Sequence, residues 1–378
     1  MRVCFLLHEL GQAGGMAVIT GHAERLRARG WDAEVVLADA VDDREWDFAL
    51  ATWWETAEAL WRVNARRRGV LLQSFEERYY QDEELLERLG AATVLGLPVD
   101  YLAVGDWMRE VLADVRPDAR CVVVRNGIDK DVFRAPGAGP RAARSDGPLR
   151  VLVEGNPHMW LKAIDDAVAA VEAMAEPVEL TRIEGGRDAA GMAEAYGSHD
   201  VLLKLSRVEG VALPPIEAMH CGTPCVVTPH TGHDEYVVHR ENGLVAGFDD
   251  IPATAAALDE LARDRALLAR LSEGALRTAA AWPGAPQSTE ALAVALEQLA
   301  AAPPPGVAPA MAALHARQRL SIELGRSRLG ELTWNRKAYE HERDALVRVQ
   351  AELDDVRAER AYQTAVRARN IVKKVTRR

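Results

Sequence analysis

The sequence predicts an α/β protein: two doubly wound parallel-sheet domains facing a cleft, followed by a helical, coiled-coil tail. Three observations carry this. Short apolar runs alternate with amphipathic stretches along the first 300 residues. Strands covered by helices on both faces read as such runs. Two breaker-rich segments, 136–148 and 301–309, divide the 378 residues. Charge is also uneven, with 16 basic and 9 acidic residues in 310–378 against 30 and 48 in the 309 before them. The net charge of −11 therefore joins an acidic body to a basic tail. An acidic body is a poor non-specific partner for nucleic acid, so none is expected.

In the first domain, expected over 1–135, six runs read as buried strands: VCFLL, AEVVLA, FALAT, GVLLQ, DYLAV and CVVV. MAVITGHAERLRARG predicts a helix closed by Gly30, since glycine tolerates the left-handed conformation that ends helices. The apolar run Val3–Leu7 is too short for a signal-peptide core and suits a first strand. No segment approaches the roughly 20 apolar residues that span a bilayer. Cys4, Cys121, Cys221 and Cys225 lie in or beside apolar runs without zinc-site spacing, which reads as reduced core cysteines of a cytoplasmic protein.

After the linker at 136–148, a second domain is expected over 149–285. Its elements are LRVLVEG, AIDDAVAAVEAM, VELTRIEG, DAAGMAEAYG, DVLLKLS, PPIEAMHCG, PCVVT and helices near 252–280. A crossover helix follows at 286–300, then a Pro-rich linker at 301–309. Two such sheets place a site in the cleft at the carboxyl ends of their strands.

Residues 206–245 hold the chemistry. Pro214 and Pro215 suit a first helical turn, which would put Glu217 in that turn facing the cleft and Glu209 in the preceding loop. Backbone N–H groups of Gly210, Val211, Ala212 and Leu213 are then free to hold a phosphate. Two acids beside an anion-binding turn can fix a ribose diol and face a reacting sugar. The bland alternative is two solvated acids near a helix start.

The stretch Ser206–Val227 resembles the signature of retaining, nucleotide-sugar glycosyltransferases of family 4, which have the two-domain GT-B fold. Further matches lie in register: Asn126-Gly127-Ile128-Asp129 with Phe133, the glycine-rich Gly11–Gly15, Gly155 with Lys162, and Trp282–Leu296. TWWETA (52–57), QSFEERYY (73–80) and GHDEY (232–236) are similar to a bacterial rhamnosyltransferase-like subgroup. The resemblance covers about residues 1–300.

It implies a metal-independent transferase without cofactor, moving a sugar from a nucleotide diphosphate donor to a glycan or lipid-linked cell-surface acceptor. Glu209 would contact the donor sugar and Lys162 would neutralise the leaving diphosphate. Glu217 would bind the ribose. Gly14, Gly15, Ser206 and Gly210 to Leu213 would complete the donor site, with Glu76 a contact for acceptor or sugar. Asn156 stands where the family carries a phosphate-binding arginine, a loss that Arg182, Arg207 or Lys204 would have to offset. Ala212 replaces a glycine and requires a negative φ. His230 and His233 read as loop-capping. Trp53, Trp54, Trp61 and Trp107 read as core, with Trp53 or Trp54 alternatively reaching the acceptor cleft. A nucleotide-sugar 2-epimerase of the same fold, or a non-catalytic scaffold acting through the tail, are the alternatives.

In the tail, Leu332, Tyr339, Leu346, Val349, Leu353 and Val356 fall on heptad positions interrupted by Asn335, Glu342 and Arg360, which predicts a short coiled coil able to dimerise over 332–356. Residues 361–378 carry six basic groups and no acid. That predicts a basic amphipathic helix docking on an anionic membrane, peripheral on its inner face. Deleting 361–378 is expected to reduce co-sedimentation with anionic vesicles; equal binding with and without the segment refutes the docking.

Overall fold

The computed structural model describes residues 1–11, 14–81, 83–135, 147–307, 343, 345–348, 350 and 351. The chain divides into two compact units, 1–317 and 318–378. In the second, the described residues are helical. The heptad positions other than Leu346, the basic segment 361–378 and most of the linker at 136–148 lie outside the described residues.

The first unit contains two parallel sheets. One is built from β1 (Arg2–Leu7), β2 (Asp32–Leu37), β3 (Trp46–Ala51), β4 (Ala65–Leu72), β5 (Asp100–Ala103) and β6 (Cys121–Val123), in the order β2-β1-β3-β4-β5-β6. The other is built from β7 (Leu149–Glu154), β8 (Val178–Ile183), β9 (Val201–Lys204), β10 (Cys225–Val227) and β11 (Gly243–Val245), in the order β11-β10-β9-β7-β8. Both share one topology. The chain steps outward from its first strand, then crosses back to that strand's other side. The switch points fall between β1 and β3 and between β7 and β9, where open α/β sheets bind ligands.

The helices are α1 (Gly14–Ala28), α2 (Leu85–Thr93), α3 (Asp106–Val115), α4 (Ile164–Glu172), α5 (Ala189–Ser198), α6 (Leu213–His220), α7 (Ile251–Arg263), α8 (Arg265–Ala281) and α9 (Ala285–Ala301). Local chemistry sets several boundaries. Gly30, at φ +88°, ends the turn after α1 and donates to the Arg27 carbonyl. Asp250 and Asp264 each accept a backbone N–H three residues on, so the helical stretch near 252–280 becomes two capped helices. The central strands are dry: Val3–Leu6 on β1 and Val201–Leu203 on β9 are fully buried. Burying such side chains contributes about 1.5–3 kcal/mol each.

The chain passes between the sheets twice, and the two crossings are sewn together. Ile128 forms a bridge with Gly284; its N–H reaches the Pro283 carbonyl and its own carbonyl accepts from Ala285. Any side chain at Gly127 would overlap the Gly284 backbone. Trp282 Nε1 donates to the Asn126 carbonyl at 2.9 Å. The Asn126-Gly127-Ile128-Asp129 motif and the closing tryptophan are thus the two halves of one joint. From it α9 returns to the first sheet, where His22 Nδ1 lies 2.9 Å from Thr289 Oγ1. The buried Asp100 pairs with Arg67 and Arg120, whose guanidiniums also hold the carbonyls of Ala302 and Pro303 just after α9.

Candidate active site

Both switch points open onto one region. Glu209 lies in the loop after β9 and is almost fully buried. Lys162, on the 3₁₀ turn before α4, donates to Glu209 Oε1 at 2.7 Å. Behind them Lys204, at the end of β9, donates to Glu154 Oε2 at 2.9 Å and to the Glu154 carbonyl at 3.1 Å. Burial alone would raise the Glu209 carboxyl, but Lys162 and Lys204 outweigh it and hold the group down at about 2.

Glu217 lies on α6 and lines a cleft of about 410 Å³, with Gly14, His22, Glu154, Arg187 and Tyr196 among its walls. Its Oε2 accepts from Tyr196 OH at 3.3 Å. Burial, reinforced by the charge of Glu154, pushes the Glu217 carboxyl up to about 7; the Tyr196 hydroxyl and Lys204 act against that rise. The two acids seven residues apart therefore hold opposite states: Glu209 is ionised at neutral pH and Glu217 is near its midpoint.

Glu217 sits in the second turn of α6. Ala212 caps the helix with backbone only, so numbering starts at Leu213 and the Pro-Pro pair fills the first turn. The φ of −69° at Ala212 explains why alanine is tolerated there. Among the described residues, Gly210, Val211, Ala212 and Leu213 have no acceptor for their N–H groups. Ser206 is buried and its Oγ has no partner among the described residues. Gly14, at φ +53°, opens α1 against the cleft, and a Cβ on Gly15 would meet the Gln73 side chain.

Asn156 does not join this group. It is exposed, and its Oδ1 accepts the His158 N–H at 2.9 Å, which turns the loop back on itself. The cations expected to compensate are engaged elsewhere: Arg182 with Glu184, Arg207 with Asp166 and Asp249, and Lys204 with Glu154. Lys204 alone keeps its charge beside Glu209. Glu76 is a buried strut, its Oε2 accepting the Trp54 N–H at 2.6 Å. Burial pushes its carboxyl up to about 8. His233 Nδ1 lies 2.7 Å from the His230 carbonyl, and His230 Nε2 lies 3.1 Å from Tyr236 OH, so both tie the 228–236 loop. The spacing of Asp129 and Asp131 is that of an Asp-x-Asp pair, but Asp129 Oδ1 accepts the Asp131 N–H.

Trp107 was expected to be a core residue. It does pack against the core, edge-on to Phe75, and it also joins the two sheets. From the start of α3 its Nε1 donates to the Gly210 carbonyl at 2.9 Å, and its backbone N–H donates to Glu235 Oε1 at 3.1 Å. Gly210 itself packs on the Gln73 carbonyl, leaving no room for a Cβ. Trp160 Nε1 donates to the Tyr79 carbonyl at 3.0 Å. Arg78 donates to Thr231 Oγ1 at 2.7 Å, and Thr231 donates to the Glu209 carbonyl at 2.9 Å. Nothing in the sequence spacing marks the bonds of Trp107 to Gly210, Trp160 to Tyr79 and Arg78 to Thr231, because each joins residues more than 80 apart.

Residues 167–278 match the model of the family described as Glycosyl transferases group 1. Over 201 residues the chain is 31% identical to the D-inositol 3-phosphate glycosyltransferase of Stackebrandtia nassauensis, a match spanning 51% of this chain and 41% of that relative. The chain thus spans less than half the length of that curated relative. Among solved structures, sucrose-phosphate synthase from Thermosynechococcus elongatus aligns with a TM-score of 0.67 at 16% identity, covering 79% of this chain and 99% of that one. Anabaena Alr3699/HepE in complex with UDP and glucose aligns with a TM-score of 0.64 at 15% identity, covering 79% and 100%. What this chain shares with them is the fold, two parallel sheets arranged as in GT-B glycosyltransferases.

The Glu76 strut sets a pH signature. Its folded carboxyl keeps its proton to about pH 8, whereas the unfolded one loses it near the ordinary 4.5. Glu76 therefore costs stability as pH rises from that value toward 8. Glu76→Gln keeps an acceptor for Trp54, so its Tm is expected to match the parent at pH 4.5 and to exceed it by several degrees at pH 8.5. Parallel Tm curves for the two proteins refute this.

Proposed function

We propose that the protein is a retaining, metal-independent glycosyltransferase of family 4 that moves a sugar from a nucleotide diphosphate donor to a hydroxyl acceptor. The observation that carries it is the Lys162–Glu209 ion pair beside a cleft lined by Glu217 and Gly14. The relative named for inositol 3-phosphate transfers a glycosyl group by its name, and HepE was solved with UDP and glucose. A uridine diphosphate sugar is accordingly the first donor to try. These likenesses favour transfer over epimerisation or a scaffold role.

The residues divide the work. The Glu217 carboxylate accepts from the ribose hydroxyls. N–H groups of Gly210 to Leu213 and of Gly14 and Gly15 face the diphosphate. As the sugar–phosphate bond breaks, positive charge grows at the anomeric carbon and negative charge on the leaving oxygen. Glu209 is ionised and stabilises the first. Lys162, shared between Glu209 and the departing phosphate, stabilises the second; fixed charges in a dry site cost no reorganisation when the charge develops. Lys162, Lys204 and the α6 start stand in for a metal. The acceptor is a glycan or lipid-linked molecule entering from the first sheet, with the basic tail holding the protein at the inner membrane face.

Thermal-shift screening of nucleotide sugars identifies the donor, and transfer assays follow. Glu217→Ala is expected to lower transfer by about 100-fold or more with little change in Tm; an unchanged rate removes Glu217 from the site. EDTA is expected to leave transfer intact, and a strict requirement for added Mg²⁺ contradicts the metal-free mechanism.

A further inference from the structure

Cations that are partly buried in this protein are usually matched by an acid. Arg116 pairs with Asp118, Arg150 with Asp200, and Arg207 with Asp166 and Asp249. Arg78 is an exception at an informative place. It lies on the 3₁₀ turn Glu76–Tyr79 that follows β4, at the carboxyl end of the first sheet. It is partly buried and, among the described residues, forms no ion pair, although the charge of its chain neighbour Glu77 is felt. One N–H reaches the Thr231 hydroxyl, and its guanidinium lies 5.7 Å from the centre of the Trp107 ring.

We propose that Arg78 recognises an anionic group, a phosphate or a carboxylate, carried by the acceptor, so that the first-sheet loop next to the Glu209 backbone selects charged acceptors. This rests on the transferase reading above. Three features support it. The guanidinium has five N–H donors in a rigid plane, and one of them is used by Thr231; the rest match the two oxygens of a carboxylate or phosphate. Its position is fixed in advance by the Trp107 ring and by Thr231, so little freedom is lost on binding. Thr231 also donates to the Glu209 carbonyl, which places the cation two hydrogen bonds from the backbone of the proposed reacting carboxylate. In that reading Lys162 serves the donor's phosphates from the second sheet. Arg78 belongs to the first. Burial also lowers its proton affinity, a cost that a bound anion would offset.

The test uses the full-length protein, saturated with UDP so that the donor's phosphate site is filled. Inorganic phosphate is then titrated by calorimetry into the parent, Arg78→Gln and Arg78→Lys. Phosphate is expected to bind the UDP-loaded parent. Its Kd should rise roughly 10- to 100-fold in Arg78→Gln, the loss of charge-assisted hydrogen bonds, while the Kd for UDP stays the same. Arg78→Lys keeps the charge but loses the fork, and should show a smaller rise; it carries the same criterion if circular dichroism shows Arg78→Gln unfolded. Phosphate that fails to bind the parent, or binds all three proteins equally, overturns the proposal. So does a loss of UDP affinity in Arg78→Gln, which would place the arginine on the donor's diphosphate. If the parent does not bind UDP, the donor assignment fails, and the same titration without nucleotide still reads the role of Arg78.

Discussion

The structure is organised around keeping one carboxylate charged out of water. Glu209 is buried where an isolated ionised acid would cost several kcal/mol, and it is ionised because two lysines face it. Each lysine brings its own requirement. Lys204 is itself buried, so β7 must end in Glu154 to receive it. Glu154 in turn raises Glu217 across the cleft wall. Lys162 must reach Glu209 from the turn before α4, and Ala163 enters the left-handed region at φ 47° directly after it. The charged groups Glu217, Glu154, Lys204, Glu209 and Lys162 form one series across the ends of β7 and β9.

The second constraint is closeness. Gly105, Gly210 and Gly232 come from three loops, and a methyl group on any of them would overlap a neighbour around Trp107, Glu235 or Gln73. The loops that carry Glu209 and Gln73 therefore touch through backbone. Trp107, Trp160 and Arg78 add directional bonds across the same seam. Helix α9 and the clasp of Arg67 and Arg120 on residues 302–303 fasten the far end of the unit to the first sheet.

Much of this was legible in the residues. Dry strands are continuous apolar runs, so all six strands of the first sheet stood out. The Pro-Pro helix start was legible because local chain direction fixes it, and the structure sets Lys162 against Glu209. β11 was not legible, since three residues, Gly243–Val245, are too few to show a period. The turn assigned to Glu217 was off by one because α6 has no side-chain cap to mark its start. The burial of Glu76 and the bonds of Trp107 to Gly210 and Glu235 were not legible for one reason: burial and partners across the fold decide the role of a polar or aromatic side chain. The same holds for Arg207, whose acids Asp166 and Asp249 lie 41 and 42 residues away.

The joint at Ile128 and Gly284 has a mechanical meaning. Both passages of the chain between the sheets run through it, so any rotation of one sheet against the other would have to turn there. The bonds from Trp107, Trp160 and Arg78 lie on the side that such a rotation would part. They would break together, giving the cleft a latch that is either fastened or free. The Asn-Gly-Ile-Asp motif, first met as a signature, is then the place where the two passages between the sheets are fastened to each other.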